Sequence, residues 1–432
     1  MEQLFYYLKV SWFSIKRAPL PYMLTVLILS LGLGVFFSNA TFYYRMNSDP
    51  LPDKSDKLFF PMMMLVPYQC SDCKPPSVLS YSNVSKLNAS DIPSARAAMY
   101  SADGYLRQHA AQPPTPVTVR ITQRDFFSMF DVPLLHGTIW ADNQARDELL
   151  LSKATAEKIL GRTDVVGQQL LLDDRLFTII GVLDDWQMLP KLYDAYNRQY
   201  LNPAEDVYLP LESGYDYNYL SNNNSSTFDD ADYRKLATDG RNKALHQLQY
   251  WVQLDTPAQQ QAYRQFMANL VTDEKAAGRH PSAEANQLVM LRDIVRYFGG
   301  ESADIKAFAI VTLLFLLVSV FNASHLSLNR YLSNQYEFSL RRALGANRSQ
   351  LQMQLLVDMG LMSTFTLAGA AVIAYGCTKL MNSLWPANRL FASWDVQLML
   401  ALAVLTLFCS YLVTLYPSLR ASFGSLNKQL KE

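Results

Sequence analysis

Four stretches of this chain carry no charged side chain: residues 18–44, 307–329, 359–378 and 396–419 contain no Asp, Glu, Lys or Arg. At about 1.5 Å per residue, a helix of such length reaches across roughly 30 Å of hydrocarbon. Backbone groups in lipid must find their partners inside the segment, so each run predicts a transmembrane helix. The average composition conceals this. The 432 residues have no formal net charge and are 50% hydrophobic, which gives no sign of an acidic partner or a nucleic acid.

The first run is expected to stay as an anchor and not to be a cleaved leader. It is far longer than the roughly 7–15 apolar residues of a signal peptide, and it ends in Phe42-Tyr43-Tyr44-Arg45, an aromatic belt followed by a charge. Basic residues fix the orientation. Lys9, Lys16 and Arg17 precede the first run; Arg330, Arg341, Arg342 and Arg348 lie between the second and third; Arg420, Lys428 and Lys431 follow the fourth. Four crossings put all of these on one side, expected to be the cytoplasm of a bacterial inner membrane. The expected plan is a cytoplasmic amphipathic helix at 1–17, spans at 18–44, 305–329, 353–379 and 396–419, a large outer domain at 45–304, a cytoplasmic loop at 330–352, a short outer loop at 380–395 and a cytoplasmic tail at 420–432. In the arm, Leu4, Phe5, Leu8, Trp12 and Ile15 sit near helical spacing, which suits a helix lying in the lipid interface.

The large outer segment holds 33 acidic against 25 basic residues and reads as mixed α/β. Val117-Thr118-Val119-Arg120-Ile121-Thr122 alternates as a strand does. Leu149-Leu150-Leu151 predicts a buried strand, after which Ser152 caps a helix that Gly161 ends. Runs at 168–172 and 176–182 flank Asp173-Asp174-Arg175 and predict a hairpin. A strand at 250–254, a helix opening at Thr256-Pro257 and a strand at 288–291 form a β-α-β unit of the ferredoxin-like kind. Pro113-Pro114-Thr115-Pro116 suggests a subdomain junction. Residues 211–239, rich in Asn, Ser, Tyr and Asp, lack periodicity and are expected as a surface excursion.

Between the second and third runs, Gln335 to Leu344 can form a short amphipathic helix, with Phe338, Leu340 and Leu344 turned to the membrane end of the bundle. Gly345 is suited to end it in a left-handed turn, and Asn347 with Gln350 opens the third span. A basic helix held between two spans suits docking to another protein. The blander alternative is that its arginines only enforce orientation.

Several of these residues also carry a family resemblance. Leu150 to Gly161, Val166-Gly167 and Phe177 to Leu183, together with Asp125-Phe126-Phe127 and His136-Gly137, resemble the periplasmic core of MacB-like permeases. Asn322, Glu337, Arg341, Ala343-Leu344-Gly345-Ala346 and Gln354 resemble the FtsX-type permease signature, although Asp358 stands where that family often has Glu. Tyr416-Pro417-Ser418-Leu419-Arg420-Ala421 is similar to the end of its fourth span. The resemblance implies a permease subunit of a type VII ABC transporter. Its fold would be four transmembrane helices plus a large mixed α/β extracytoplasmic domain, with a ferredoxin-like porter subdomain and an inserted second subdomain. It further implies that Glu337, Phe338, Leu340, Arg341, Arg342, Leu344 and Gly345 form the coupling helix that docks on an ATP-binding subunit.

No G-x-x-x-x-G-K-[ST] loop occurs, so no cofactor is expected in this chain, which is expected to be non-catalytic; ATP and Mg would bind to a separate ATPase. A second permease, identical or paralogous, would complete a dimer. Ser30, Gly32, Gly34 and Ser38 are small residues suited to its seam or to packing within one subunit. A periplasmic membrane fusion protein and a TolC-like outer-membrane duct are further expected partners of an exporter, beside membrane lipid. An FtsX-like signalling scaffold or a lipoprotein-releasing permease would share the plan. Cys70 and Cys73 suit a local disulfide, Cys377 and Cys409 suit packing inside spans, and the five histidines show no ligand-like spacing. His325 and Asp358, polar groups near span ends, either snorkel or pair between helices.

The topology is open to a direct check. An impermeant thiol reagent should label single cysteines placed in 60–290 and 383–393 from outside, and in 331–347 only after permeabilisation. Labelling at 345 in intact spheroplasts would contradict the four-span plan.

Overall fold

The computed structural model describes the chain except for residues 1, 18, 66–75, 142–145, 198, 199, 201, 223–225, 228–240, 242–244, 283–286, 299–302, 334–339, 341–344, 346, 385–395 and 424–432. It divides into two units, Asn47–Gly300 on one hand and Met1–Met46 with Glu301–Glu432 on the other.

The second of these is helical. Helices Pro19–Asn47, Ala303–Ser333, Arg348–Leu384 and Val396–Phe423 contain the four uncharged runs. The segments long and apolar enough to cross a membrane are Pro19–Arg45, Ala307–Arg330, Gln352–Leu380 and Val396–Thr414. Leu29, Leu33, Phe37, Leu316, Ala370, Ala374, Leu402 and Cys409 form their shared core. Most other large apolar side chains of the second span, from Phe308 to Phe321, point outward, as lipid-facing residues do. A preceding helix, Glu2–Arg17, turns Phe5, Tyr6, Leu8, Trp12 and Phe13 outward as well and buries Ser11.

Residues 47–300 form one twelve-stranded sheet with helices on it. Its strands are β1 Leu58–Met62, β2 Leu79–Ser80, β3 Ala95–Arg107, β4 Thr115–Thr122, β5 Leu134–Gly137, β6 Glu148–Ser152, β7 Gln169–Leu172, β8 Arg175–Leu183, β9 Val207–Pro210, β10 Ser226–Thr227, β11 Leu245–Gln253 and β12 Gln287–Met290. The main path runs β12-β1-β11-β3-β4-β9-β6-β8-β5. β1 is antiparallel to both β11 and β12, and β11 is antiparallel to β3. Hence β1 and β3 run one way and β11 and β12 the other. Helix Tyr81–Asn88 links the first pair and helix Pro257–Ala276 the second, each crossing over a strand of the other pair. This is the split β-α-β arrangement of a ferredoxin-like subdomain. Residues 108–244 are inserted between its second and third strands. The proline run opens β4 just beyond the tip of the β3–β4 hairpin, where the chain leaves the first subdomain.

Local chemistry explains the elements. The Ser152 hydroxyl accepts the Thr155 N–H, and Gly161, with φ of +70°, closes that helix in a conformation that costs a glycine little. Asp173 and Asp174 both take positive φ, 48° and 66°, the geometry of a two-residue hairpin turn, and β7 and β8 pair across them. Thr256 and Gln259 form a reciprocal capping box at the start of helix Pro257–Ala276. The expectation of a surface excursion over 211–239 is corrected in its first part. Leu211, Tyr215 and Tyr219, four residues apart, are buried in the main core. Their spacing is a helical signal that the polar residues around them obscured.

The two faces of the sheet differ. Helices 81–88 and 257–276 contribute Val84, Leu87, Tyr263, Met267 and Val271 to an aliphatic-rich core with Val119, Ile121, Leu151, Ile179 and Leu209. Elsewhere aromatic rings pack edge to face: Phe126 on Tyr193 at 5.3 Å, Phe130 on Trp251 at 5.6 Å and Phe60 on Trp251 at 5.2 Å. Arg120, on the polar register of β4, is fully buried. Its Nη2 donates to Asp194 at 3.0 Å and to Glu205, and its guanidinium lies 5.1 Å from the centre of the Tyr193 ring. Lys191 Nζ donates to Glu205 at 2.5 Å, and the Tyr193 hydroxyl donates to the other Glu205 oxygen at 2.8 Å.

This network sets a pH dependence. Burial pushes the Glu205 carboxyl up, but Arg120 and Lys191 outweigh that and hold it at about 2, against an ordinary 4.5. A depressed carboxylate contributes stability that is complete above pH 4.5 and lost as pH falls towards 2. Glu205→Gln should cost about 3–5 kcal/mol at neutral pH by stranding buried cations. Its melting temperature, followed by tryptophan fluorescence, should then fall less steeply than wild type between pH 4.5 and 2. Parallel curves would refute the assignment.

Candidate functional site

The basic segment between the second and third spans is bracketed by helix ends whose packing the structure defines. The second span ends at Arg330, on the same turn as Ser327 and Leu326. The third carries Asp358, less than two turns above Gln352. Across this gap Arg330 Nη2 donates to Asp358 Oδ2 at 2.9 Å, and Arg330 Nη1 lies 2.9 Å from the Met362 sulfur. Tyr22, at the start of the first span, donates to Asp358 Oδ1 at 3.2 Å, and its ring centre lies 4.0 Å from the Arg330 guanidinium carbon. Ser14 of the N-terminal helix is 3.0 Å from the Tyr22 hydroxyl. One carboxylate thus joins three spans, and through Tyr22 it joins the arm as well.

Such a knot has a clear physical role. A charge buried among spanning helices is costly when isolated, and pairing removes much of that penalty. The Arg330 and Asp358 side chains are only 9% and 14% exposed. Direction matters in such a pair: a planar guanidinium donates along fixed axes and stacks on a ring face, so it fixes the angle between the helices it joins. Trp12, stacked on Phe365 at 6.4 Å and carrying Lys16 over its ring at 5.6 Å, adds a second tie between the arm and the third span. Arg330, at one flank of the loop, is thus held to the bundle by a directional contact.

Of the residues expected in the docking helix, Glu337, Phe338, Arg341, Arg342 and Leu344 lie outside the described residues. Leu340 is exposed, and Gly345 adopts φ of +97°, a left-handed conformation. Past it, the Asn347 N–H donates to the Gln350 side chain at 3.0 Å, the returning half of a capping box. His325 is exposed and pairs with Asn329 one turn along its own helix, whereas Asp358 pairs between helices. Arg330 was legible only as an orientation signal, and Tyr22 and Ser14 gave no polar pattern at all; their role depends on three-dimensional proximity.

The small residues Ser30, Gly32, Gly34 and Ser38, expected at a seam between copies or in packing within one subunit, make close contacts inside one copy. Ser30 and Ser38 donate to the Thr366 and Ala374 carbonyls of the third span at 3.1 and 3.2 Å. A methyl group on Gly32 would come within 2.6 Å of Ser319, and one on Gly34 within 2.7 Å of Ile373. Their lack of bulk serves close approach within the bundle, the packing role open to them beside a seam. Cys70 and Cys73 lie outside the described residues, and Cys377 and Cys409 are free.

Comparison with known proteins adds the following. The family model of the MacB-like periplasmic core domain matches residues 22–270, and that of the FtsX-like permease C-terminal region matches 308–426. No curated protein matches. Solved structures of similar fold include the extracellular domain of a noncanonic ABC-type transporter, YknZ, from Gram-positive bacteria: 16% identity, 54% of this chain, 99% of that one, TM-score 0.35. The periplasmic region of MacB from Actinobacillus actinomycetemcomitans follows at 11% identity, 57% and 94% coverage and a TM-score of 0.36. A domain of a permease protein from Porphyromonas gingivalis stands at 16%, with 55% and 90% coverage and 0.36. With such low scores, the family models alone carry weight.

The knot is testable by a double-mutant cycle. Asp358→Leu should destabilise the detergent-solubilised bundle by about 3 kcal/mol or more, because it removes the carboxylate that faces the buried Arg330 guanidinium. Adding Arg330→Met should restore most of the loss in the same unfolding assay. Losses that simply add would contradict the pairing.

Proposed function

The chain belongs to the MacB-like, FtsX-type family of ABC transporter permeases, and from that membership we propose that it transmits ATP-driven motion across the membrane to its outer domain. ATP and Mg bind to a separate ATPase subunit, and a second permease supplies the other docking helix. The coupling segment around Glu337, Leu340, Arg341, Arg342 and Gly345 sits in the ATPase. When the two nucleotide-binding subunits close, that segment moves and the bundle tilts. The outer domains then open and close on a periplasmic cargo such as a peptide, toxin, antibiotic or lipid-like molecule. This chain does no covalent chemistry in that cycle.

One observation carries the reading: the Arg330–Asp358–Tyr22 knot ties both flanks of the coupling segment to the bundle. A loosely attached docking loop would absorb the movement of the ATPase, whereas a loop flanked by cross-linked helix ends passes it on. The rival reading, a scaffold that signals to a periplasmic enzyme, uses the same transmission. Transport into inverted vesicles separates the two, because a scaffold moves no cargo.

Reversing Arg341 and Arg342 to Glu should weaken co-purification with the ATPase and cut ATP-coupled activity while leaving membrane insertion intact. Retention of the ATPase at wild-type yield would place docking elsewhere.

A further inference from the structure

The second span has a buried side and an exposed arc, and the arc is not uniform. Thr312, Leu316, Ser319, Ala323 and Ser327 are buried against the bundle. One flank of the exposed arc, made by Ile310, Leu313, Leu317 and Phe321, is apolar throughout, as a face on lipid should be. On the other flank the exposed residues follow one another at alternating steps of three and four: Phe308, Val311, Phe315, Val318, Asn322, His325 and Asn329. That is the a/d repeat of a two-stranded coiled coil, with Phe308, Phe315, Asn322 and Asn329 at a and Val311, Val318 and His325 at d.

Asn322 is the member that lipid does not accommodate. Arg330, the end of the span, is eight residues further on, which puts Asn322 about 12 Å inside it at a helical rise. Its amide makes no hydrogen bond among the described residues. The other exposed polar groups of the spans are either answered or shallow. The Thr364 hydroxyl donates to the Gly360 carbonyl at 2.9 Å, and His325 and Asn329 lie 3.5 Å apart on their own helix. Gln352 and Gln397 stand at or beside a span end, and Tyr375 and Tyr411 lie close to one, at the depth of an aromatic belt. An amide left bare in hydrocarbon is costly, so position 322 calls for a polar partner from outside this bundle.

We propose that this row is the seam on which a second copy of the chain packs, second span against second span, with the two Asn322 amides hydrogen-bonded to each other. The seam rests on the transmission reading, which calls for a second permease and leaves its contact face open. The geometry favours an identical copy. Both copies take their orientation from the same basic residues, so their second spans run parallel. A two-fold axis along the membrane normal then sets each a position against its own counterpart. An amide carries both donors and an acceptor and is therefore its own complement, which a carboxylate or an ammonium is not. Asn at an a position is also the residue that fixes register and strand number in coiled coils. The a/d row gives the left-handed crossing near +20° that predominates between membrane helices.

The test uses the full chain, its four cysteines replaced by alanine, in two differently tagged forms co-expressed with the ATPase. Single cysteines at 308, 311, 315 and 318 should cross-link one tag to the other on oxidation of the membranes, and those at 310, 313 and 317 should not. Asn322→Leu fills the seam without an amide. It should lower co-purification of the two tags about fivefold, the factor carried by one interhelical hydrogen bond of ~1 kcal/mol. Asn322→Gln, which keeps the amide, should retain most of it. Unaltered co-purification in Asn322→Leu would overturn the proposal. So would pairing only with a paralogous permease, or cross-links spread evenly round the arc as chance collision in lipid gives. Tags that co-purify with the ATPase but cross-link at 310, 313 and 317 would overturn the seam and leave the transmission reading standing. Failure of that reading shows differently, as a wild-type chain that recovers neither the ATPase nor the second tag, and would overturn both.

Discussion

An arginine and an aspartate facing each other at the base of a helix bundle have little water to turn to. Each would be costly alone, and together they constrain every element they touch. Arg330 fixes the end of the second span, Asp358 the lower third span, Tyr22 the start of the first and Ser14 the arm. The remainder of the bundle is consistent with this anchor. Gly32 and Gly34 let the first span approach Ser319 and Ile373, and the Ser30 and Ser38 hydroxyls bond across to the third span. Directional polar contacts fix the angles at one end, and small residues set the spacing above it.

The outer domain solves a different problem, because water surrounds it and burial supplies its stability. Its ferredoxin-like half is closed by two crossing β-α-β units, and the inserted half extends the same sheet through the β3–β4 hairpin. A shared sheet makes the two halves one mechanical body. Arg120 sits in the inserted half, and the residues it holds, Asp194 and Glu205, belong to the segment that covers that face. Asp194 also accepts from Gln249 of β11 at 2.5 Å, which carries the network into the ferredoxin-like half. The buried charges thus act as a rivet between the halves.

Much of this could be read in advance where a rule is local. Uncharged runs marked the spans, Ser152 and Gly161 marked a helix, and Asp173-Asp174 marked a hairpin, because each depends on neighbours in sequence. Contacts between distant positions could not be read. Arg120 stood on the polar register of an alternating strand and looked solvated; only the packing of 191–205 over that face buries it. Tyr215 and Tyr219 sat in a polar stretch whose composition masked a four-residue repeat. Glycines in the first span correctly signalled close packing but not the identity of the partner, since a glycine faces a neighbouring span and a second copy with equal ease. The pairing of Asp358 was open in sequence between solvent and a partner, and distance alone decided it.

The central claim is that the knot at 22, 330 and 358 carries motion from the loop to the outer domain. It is tested most directly by spin-label distances between outer domains of two copies, with labels at the exposed Tyr105, in the membrane complex with the ATPase. Wild type should show a distance distribution that changes between ATP-bound and ADP-bound states. Asp358→Asn should retain ATP hydrolysis and lose that change. An unaltered ATP-dependent shift in the Asp358→Asn complex would contradict the account.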